Sequence, residues 1–412
     1  MNVNFKADSI SADACIRLGD GTNATRYTCN VTVENCTFDV PGAVGVKSYT
    51  GGDKNLTITG CTATANAHSL VQAKGIEGIL VENCTVNSKN GLNFNNSTNV
   101  TIDNCTVDVK GYAVRFGESK GGAGDAETYA IKNSSLKSAN EDGDAVIVLR
   151  GTADNSTLTV TETTLNGDIQ ITDTASNATI IIDGKYYVST AAELAAVVAN
   201  GETDIYLLDG EYNVYGCGGK TLTINGSKNA IIKLYNDGED GCDYAFGSAG
   251  TGVGTYTFNG VTFDTTGNTG NYKGFAYMKG IFNDCNFVGA YSLNNANDFV
   301  FNRCTFDFKN GYFWTWGAKS VTFDGCTFNG NSKTILAHGS ACTVININNC
   351  TFAATEKGYT GAGDNTAVVE MDPTSTNTYT INFTGENTKT DSYAGWTRVK
   401  DGSTGHTITG LN

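Results

Sequence analysis

Three side chains in the second half of the sequence, Lys279, His338 and Glu370, are of the types that move protons. They are the candidates for acid–base work. Three segments can be aligned on a closing glycine: Phe275-Ala-Tyr-Met-Lys-Gly280, Tyr312-Phe-Trp-Thr-Trp-Gly317 and Lys333-Thr-Ile-Leu-Ala-His-Gly339. The alignment puts Tyr277, Trp314 and Leu336 at one position and Lys279, Trp316 and His338 two residues on. Residues two apart on a strand share a face. Tyr277, Trp314 and Trp316, joined by Tyr291, are therefore expected to line an outer surface, with Lys279, His338 and Glu370 beside them. Ala276, Met278, Phe313, Thr315, Ile335 and Ala337 fall on the other face and suit a core. Trp and Tyr combine a flat apolar body with a polar tip, which fits stacking on the C–H faces of sugar rings. A contiguous exposed aromatic patch marks a partner. The same residues would also serve a packing surface covered by a loop, by the other half of the chain or by a neighbouring copy, and both readings stay open.

A second cluster is acidic. Glu141, Asp142 and Asp144 sit in one loop, with Asp125 and Glu127 upstream and Arg150 after them. Such oxygens could hold Ca²⁺; a solvated acidic loop is the alternative, and no other cofactor is expected. The sequence has no Gly-x-Ser-x-Gly, no His-Glu-x-x-His and no P-loop. With three His and no Cys-x-x-Cys, a structural zinc site is not expected. Two cysteine pairs, Cys217 with Cys242 and Cys342 with Cys350, have the option of bonding.

The elements that must carry these residues are read from an internal repeat. The unit is apolar–x–apolar–x–Asn/Gly–Cys–Thr–apolar. It reads Val31-Thr-Val-Glu-Asn-Cys-Thr-Phe38 and returns at Leu56–Ala63, Ile79–Val86 and Val100–Val107, then in the second half at Phe299–Phe306, Val321–Phe328 and Ile345–Phe352. Successive copies lie 19–29 residues apart within each half. That period belongs to a solenoid. Strict alternation, as in Val31-x-Val33, makes the segments half-buried strands. Each strand pairs in parallel with its counterpart one coil away, about 4.8 Å distant, so like residues stack. Columns of Cys (36, 61, 84, 105), of Phe (263, 287, 306, 328, 352) and of Asn (35, 83, 104, 133, 349) follow. The Asn column is expected at left-handed corners, where Gly60 and Gly325 substitute for it. Outward Thr columns also recur, and Thr is a good strand former at such positions.

On these motifs the chain resembles the right-handed parallel β-helix superfamily, whose best-known members are pectate-lyase-like. The resemblance spans nearly the whole chain and implies an all-β solenoid. It leaves function wide, since the superfamily holds polysaccharide lyases, glycoside hydrolases, adhesins and viral fibres. In the lyases, Ca²⁺ neutralises a uronate while an Arg or Lys takes the proton; no lyase spacing is traceable here.

The repeat breaks between Asp183 and Lys220. Ser189–Asn200 reads as a helix, with Thr190 and Glu193 as a capping box, Leu194, Val197 and Val198 as its apolar stripe, and Gly201 as its stop. A helix there would cover the open strand edges of a solenoid end. The expected organisation is two β-helix units, stacked or linked, at 1–183 and 184–412, the second opened by a capping helix near 190–200. A single continuous solenoid with a helical insertion is the alternative.

A formal net charge of −15 argues against nucleic acid as partner. No apolar run is long enough to span a membrane. The start of the sequence shows no signal peptide, which leaves a trimmed leader, a fragment or a virion component. The expectation is a non-catalytic extracellular, cell-surface or virion-surface protein that presents a glycan-binding, adhesive surface. A polysaccharide lyase or glycoside hydrolase and a structural fibre or spacer are the alternatives, with a homo-oligomer as a further partner option.

Overall fold

The computed structural model describes residues 3–9, 13–19, 30–49, 54–118, 126–139, 141, 145–172, 178–227, 229–234, 246, 252–267, 274–294, 297–308, 312–315, 317–329, 334–338, 344–353, 367–372, 377–399 and 404–411. The chain divides into two compact units, Met1–Tyr187 and Val188–Asn412. Each is a stack of coils, and in each the described strands form parallel sheets whose neighbours are successive coils.

In the first unit a coil runs through three strands. One coil, for example, passes through Val31–Glu34, turns at Asn35, continues as Cys36–Asp39 and then Val44–Ser48. The seven strands equivalent to Val44–Ser48 form what we call the front sheet: Ala14–Leu18, Val44–Ser48, Ser69–Lys74, Leu92–Asn95, Val114–Phe116, Ile147–Leu149 and Ile169–Ile171. The unit closes with Thr179–Ile182 pairing antiparallel to the strand that begins at Lys185.

The corner between the first two strands of a coil is left-handed. Asn35, Asn83, Asn104 and Asn133 have φ of 53°, 53°, 50° and 51°, and Gly60 has 61°. Asn tolerates this region because its short amide bonds locally. The amides also link coils: Asn104 Nδ2 donates to Asn83 Oδ1 at 2.8 Å. The cysteines beside them are buried thiols stacked in line. Cys61, Cys84 and Cys105 each donate Sγ–H to a carbonyl one coil away, at 3.6, 3.6 and 3.5 Å. Ser134 and Thr163 continue the column, their hydroxyls donating within the coil to the carbonyl two residues before, at 2.7 and 2.9 Å.

The second unit opens with helix α1 (Ala191–Ala199). Thr190 Oγ1 accepts from Glu193 N at 3.2 Å, the Glu193 carboxylate accepts from Thr190 N at 3.3 Å, and Leu194, Val197 and Val198 are buried. Above the helix the core is aromatic. Phe263, Phe287, Phe306, Phe328 and Phe352 stack with centroids 5.2, 4.7, 4.7 and 4.7 Å apart. A second column, Phe258, Phe282, Phe301 and Phe323, meets the first edge to face. This unit's own front sheet has six strands: Gly274–Ala276, Tyr291–Asn294, Phe313–Trp314, Ile335–His338, Ala367–Asp372 and Gly395–Val399.

On the sheet formed by Asp204–Leu207, Thr221–Gly226, Gly254–Asn259, Met278–Asn283 and Asp298–Asn302, a row of amides runs from coil to coil. Asn225 donates to Asp204, Asn259 to Asn225, Asn283 to Asn259 and Asn302 to Asn283, all at 2.8–2.9 Å. Ladders of this kind satisfy side chains along the same axis as the backbone bonds.

Candidate functional site

The aromatic face expected on the second unit is only partly assembled. Trp314 and Leu336 do share a column, as register partners. Above them in that column are Ser292 and Gly274, and below them Glu370 and Arg398. Ala276, Met278, Phe313, Thr315, Ile335 and Ala337 are all buried, as the alternation requires.

Three placements differ. Tyr291 pairs in register with Phe313, so it points into the core. It is 1 % exposed, its ring lies near those of Phe275 and Phe287, and its hydroxyl donates to Val288 O at 3.0 Å. Burial holds its phenol protonated, well above the usual range. Tyr277 lies outside the column because it forms a corner with φ of 52°. That corner ends one strand and starts the next. Lys279 therefore belongs to Met278–Asn283 in another sheet, exposed and in register with Thr255. His338 stays on the front sheet, with its backbone opposite Asp372. Lys279 and His338 thus share no column. The glycine alignment failed because it counted residues straight through a left-handed turn.

Glu370 is 5 % exposed and lies 3.6 Å from Arg398 Nη1. Trp316 lies outside the described residues. So do Asp125, Asp142 and Asp144 of the acidic loop, while Glu141 pairs with Lys110 at 3.5 Å. Among the described residues no group of three or more His, Cys, Asp and Glu is placed to hold a metal ion. Cys217 and Cys350 are free buried thiols, the former pushed up to about 12 by burial; Cys242 and Cys342 lie outside the described residues.

The first unit carries a surface that the alignment did not single out. Its front sheet turns one column away from the core: Arg17, Lys47, Gln72, Asn93 and Arg115, each the register partner of the next, with Asn93 itself 4 % exposed. Apolar residues flank every one of the last four (Val46, Val71 and Ala73, Leu92 and Phe94, Val114 and Phe116), and these are buried. The five side chains span four coil steps, about 19 Å. The three cationic heads are held in place. The Arg17 guanidinium and the Lys47 ammonium both lie over the Tyr49 ring, at 4.5 and 4.7 Å. Lys47 also reaches Asp13 at 3.1 Å, and Tyr49 donates its hydroxyl to the same carboxylate. Those two bonds, Tyr49 first, hold Asp13 below the usual carboxylate range. Arg115 lies 4.0 Å over the ring of buried Tyr112 and donates Nε–H to Asn93 Oδ1 at 3.3 Å. Cation–ring contacts of this kind fix a charge without neutralising it.

At the entry to the same sheet, His68 is pinned between coils. Its N–H donates to Ala43 O and its carbonyl accepts from Asn90 N, both at 2.8 Å. Its Nε2 lies 3.5 Å from Asn90 Nδ2. Burial, then the charges of Lys89, Arg115 and Lys47, hold the imidazole below its usual range. The signal for this column was in the sequence: Lys47, Gln72, Asn93 and Arg115 follow the repeat cysteine by 9–11 residues, the last three between apolar neighbours and Lys47 between Val46 and Ser48.

A family described as right-handed beta helix region matches residues 3–181, somewhat under half of the chain. The fold is a right-handed parallel β-helix. No curated protein matches the chain. Among solved structures, a PL6 family alginate lyase, AlyGC, is 10 % identical, with a TM-score of 0.31 over 92 % of this chain and 94 % of that one. A single-substitution mutant of the same lyase is also 10 % identical, with a TM-score of 0.30 over 99 % and 95 %. At that identity and score, neither likeness carries an inference about this β-helix. No helix among the described residues is long and apolar enough to cross a membrane.

Proposed function

We propose that this β-helix is a glycan-binding protein of the cell exterior or of a virion surface, and that it acts by binding through the outer face of the first unit's front sheet. The observation that carries this is the single column of Arg17, Lys47, Gln72, Asn93 and Arg115. Arg17, Lys47, Gln72 and Arg115 rise from a rigid lattice at a constant rung spacing, with the buried Asn93 bracing Arg115, and Tyr49 offers a half-buried ring beside them. A linear saccharide presents hydroxyls at a regular repeat, so a rigid row of donors meets it with little ordering cost.

The test is a glycan array and a polysaccharide pull-down with the full chain, repeated with Lys47→Ala, Arg115→Ala and Trp314→Ala. Retention lost in the first two variants supports the reading. Retention lost only in Trp314→Ala moves the site to the second unit, and an empty array overturns glycan binding altogether. Growth of ultraviolet absorbance from unsaturated sugar ends would replace binding by lyase turnover.

A further inference from the structure

Each unit carries a run of four buried, free cysteines on consecutive coils: Cys36, Cys61, Cys84 and Cys105 in the first, Cys285, Cys304, Cys326 and Cys350 in the second. The residues that follow them are register partners from coil to coil. The parallel ladder also passes beside the cysteines themselves. Thr85, Thr106, Thr305, Thr327 and Thr351 each donate N–H to the carbonyl of the cysteine one coil back, at 2.9 Å. Successive sulfurs therefore start from backbone one rung apart, about 4.8 Å.

Packing does not call for a thiol at this position. Ser134 and Thr163 extend the first column, and buried Val261 holds the same place above Cys285 in the second. A hydroxyl or an aliphatic group fits the same space, so two unbroken runs of thiols exceed what the fold requires. Nor does the spacing suit a disulfide, whose Cβ atoms lie about 3.8 Å apart. It suits one interposed atom. A bond from thiolate sulfur to a first-row metal ion is about 2.3 Å, as for zinc, so two in line span about 4.6 Å, close to one rung.

The thiol protons are free to leave. Each of these Sγ–H groups faces the carbonyl two residues before it, for example those of Thr59, Glu82 and Asp103 in the first unit and Asn302, Asp324 and Asn348 in the second, at 3.1–3.7 Å. Those six carbonyls already accept a backbone N–H from a neighbouring coil, at 2.8–3.1 Å. None is orphaned when the sulfur loses its hydrogen.

The geometry points to a binding site for a soft, monovalent metal ion of the copper(I) class, held in line between the sulfurs of two neighbouring coils. Soft sulfur ligands select such ions. Two sulfurs suffice for a linear ion, whereas zinc and calcium need larger ligand groups, which the described residues do not assemble. A sulfur bonded to its Cβ and to one ion stays bent, so each ion takes one pair and each row takes two ions. The pairs are Cys36 with Cys61, Cys84 with Cys105, Cys285 with Cys304, and Cys326 with Cys350. On binding, one Sγ–H bond breaks, an Sγ–metal bond forms and the proton passes to solvent. The second sulfur binds as a thiol through a lone pair, and no electron is transferred. One thiolate, one thiol and one monovalent ion are together neutral, as burial in an apolar column demands.

The test supplies the reduced full chain, without oxygen, with copper(I) buffered by bathocuproine disulfonate, and counts retained ions by native mass spectrometry. The wild type is compared with Cys84→Ser/Cys326→Ser, which breaks one pair in each row, and with Cys15→Ser/Cys217→Ser, which lies outside the rows. Serine already stands in this column as Ser134, so the row variant should keep its thermal midpoint. Expected are two ions fewer in the row variant and an unchanged count in the other. X-ray absorption at the copper edge of the wild type should show two sulfur neighbours at about 2.3 Å and no nitrogen or oxygen. Equal counts in the row variant and the wild type overturn the site, as does retention only by chain unfolded in urea. A copper shell of three or more neighbours overturns the linear pair, and that measurement decides alone if the row variant fails to fold.

Discussion

The two front sheets are each built of stacked parallel strands, and their outward columns differ in chemistry. In the first unit the outward column is Arg17, Lys47, Gln72, Asn93 and Arg115, with Arg17 exposed, Lys47, Gln72 and Arg115 half-buried and Asn93 4 % exposed. In the second unit the equivalent column is Gly274, Ser292, Trp314, Leu336, Glu370 and Arg398, with Ser292, Leu336 and Glu370 each 5 % exposed. Backbone register makes both rows equally regular. It does not decide whether a row meets solvent. The first face spends its aromatics as props for cations; the second buries most of its outward column. A Trp on an outward position is therefore a weaker sign of a ligand surface than a row of propped charges.

The sharpest way to break this contrast is through the cores beneath. Phe306→Ala removes a ring stacked at 4.7 Å on both sides and should cost the second unit about 3–5 kcal/mol. Val107→Ala, at the equivalent column of the first unit, should cost about 2 kcal/mol. Chemical denaturation followed by the tryptophans, all three in the second unit, reads the former directly. At the second face, Arg398→Ala leaves the Glu370 carboxylate buried without its guanidinium and should destabilise by about 3 kcal/mol. A loss below 0.5 kcal/mol would show that the face is better hydrated than its burial implies.

Trp314→Ala and Arg115→Ala should then separate the two roles. The Trp change should lower the thermal midpoint while glycan retention survives. The Arg change should weaken retention about tenfold with little loss of stability. A reversal would exchange the assignments of the two faces.

Smaller effects sharpen the comparison at the corners. A Cβ at Gly60 would lie 2.6 Å from Asn35 Oδ1, whereas at Gly325 the nearest atom is 3.5 Å away. Both are left-handed, so each Ala substitution costs about 1–2 kcal/mol, and Gly60→Ala should cost more. The smallest effect is on pH. The folded state holds His68 below its unfolded value of about 6.5. As pH falls through that value the unfolded chain takes up the proton first, so stability declines until the folded pKa is passed. Urea midpoints at pH 7.5 and 5 should show this decline, reduced in His68→Gln.

Much of the fold was legible because a solenoid repeats its evidence. The alternation around Val31 and Val33 and the period of the Cys column pointed to stacked coils. The Asn and Gly at one repeat position marked the left-handed corner. Thr190, Glu193, Leu194, Val197 and Val198 specified the helix through local bonds alone. The site was less legible. Phe275-Ala-Tyr-Met-Lys-Gly280 reads as one strand, but Tyr277 bends it into two sheets, and nothing in a Tyr announces a positive φ. Tyr291 was placed outward because aromatic type was given more weight than register.

The residue order by itself determined which atoms stack, since a repeat of fixed period leaves each side chain only one neighbour above and one below. Coordinates alone decided which columns reach water and which cations lie over rings. Both depend on how coils of unequal length turn their corners, a property of the backbone between repeats that no single repeat encodes.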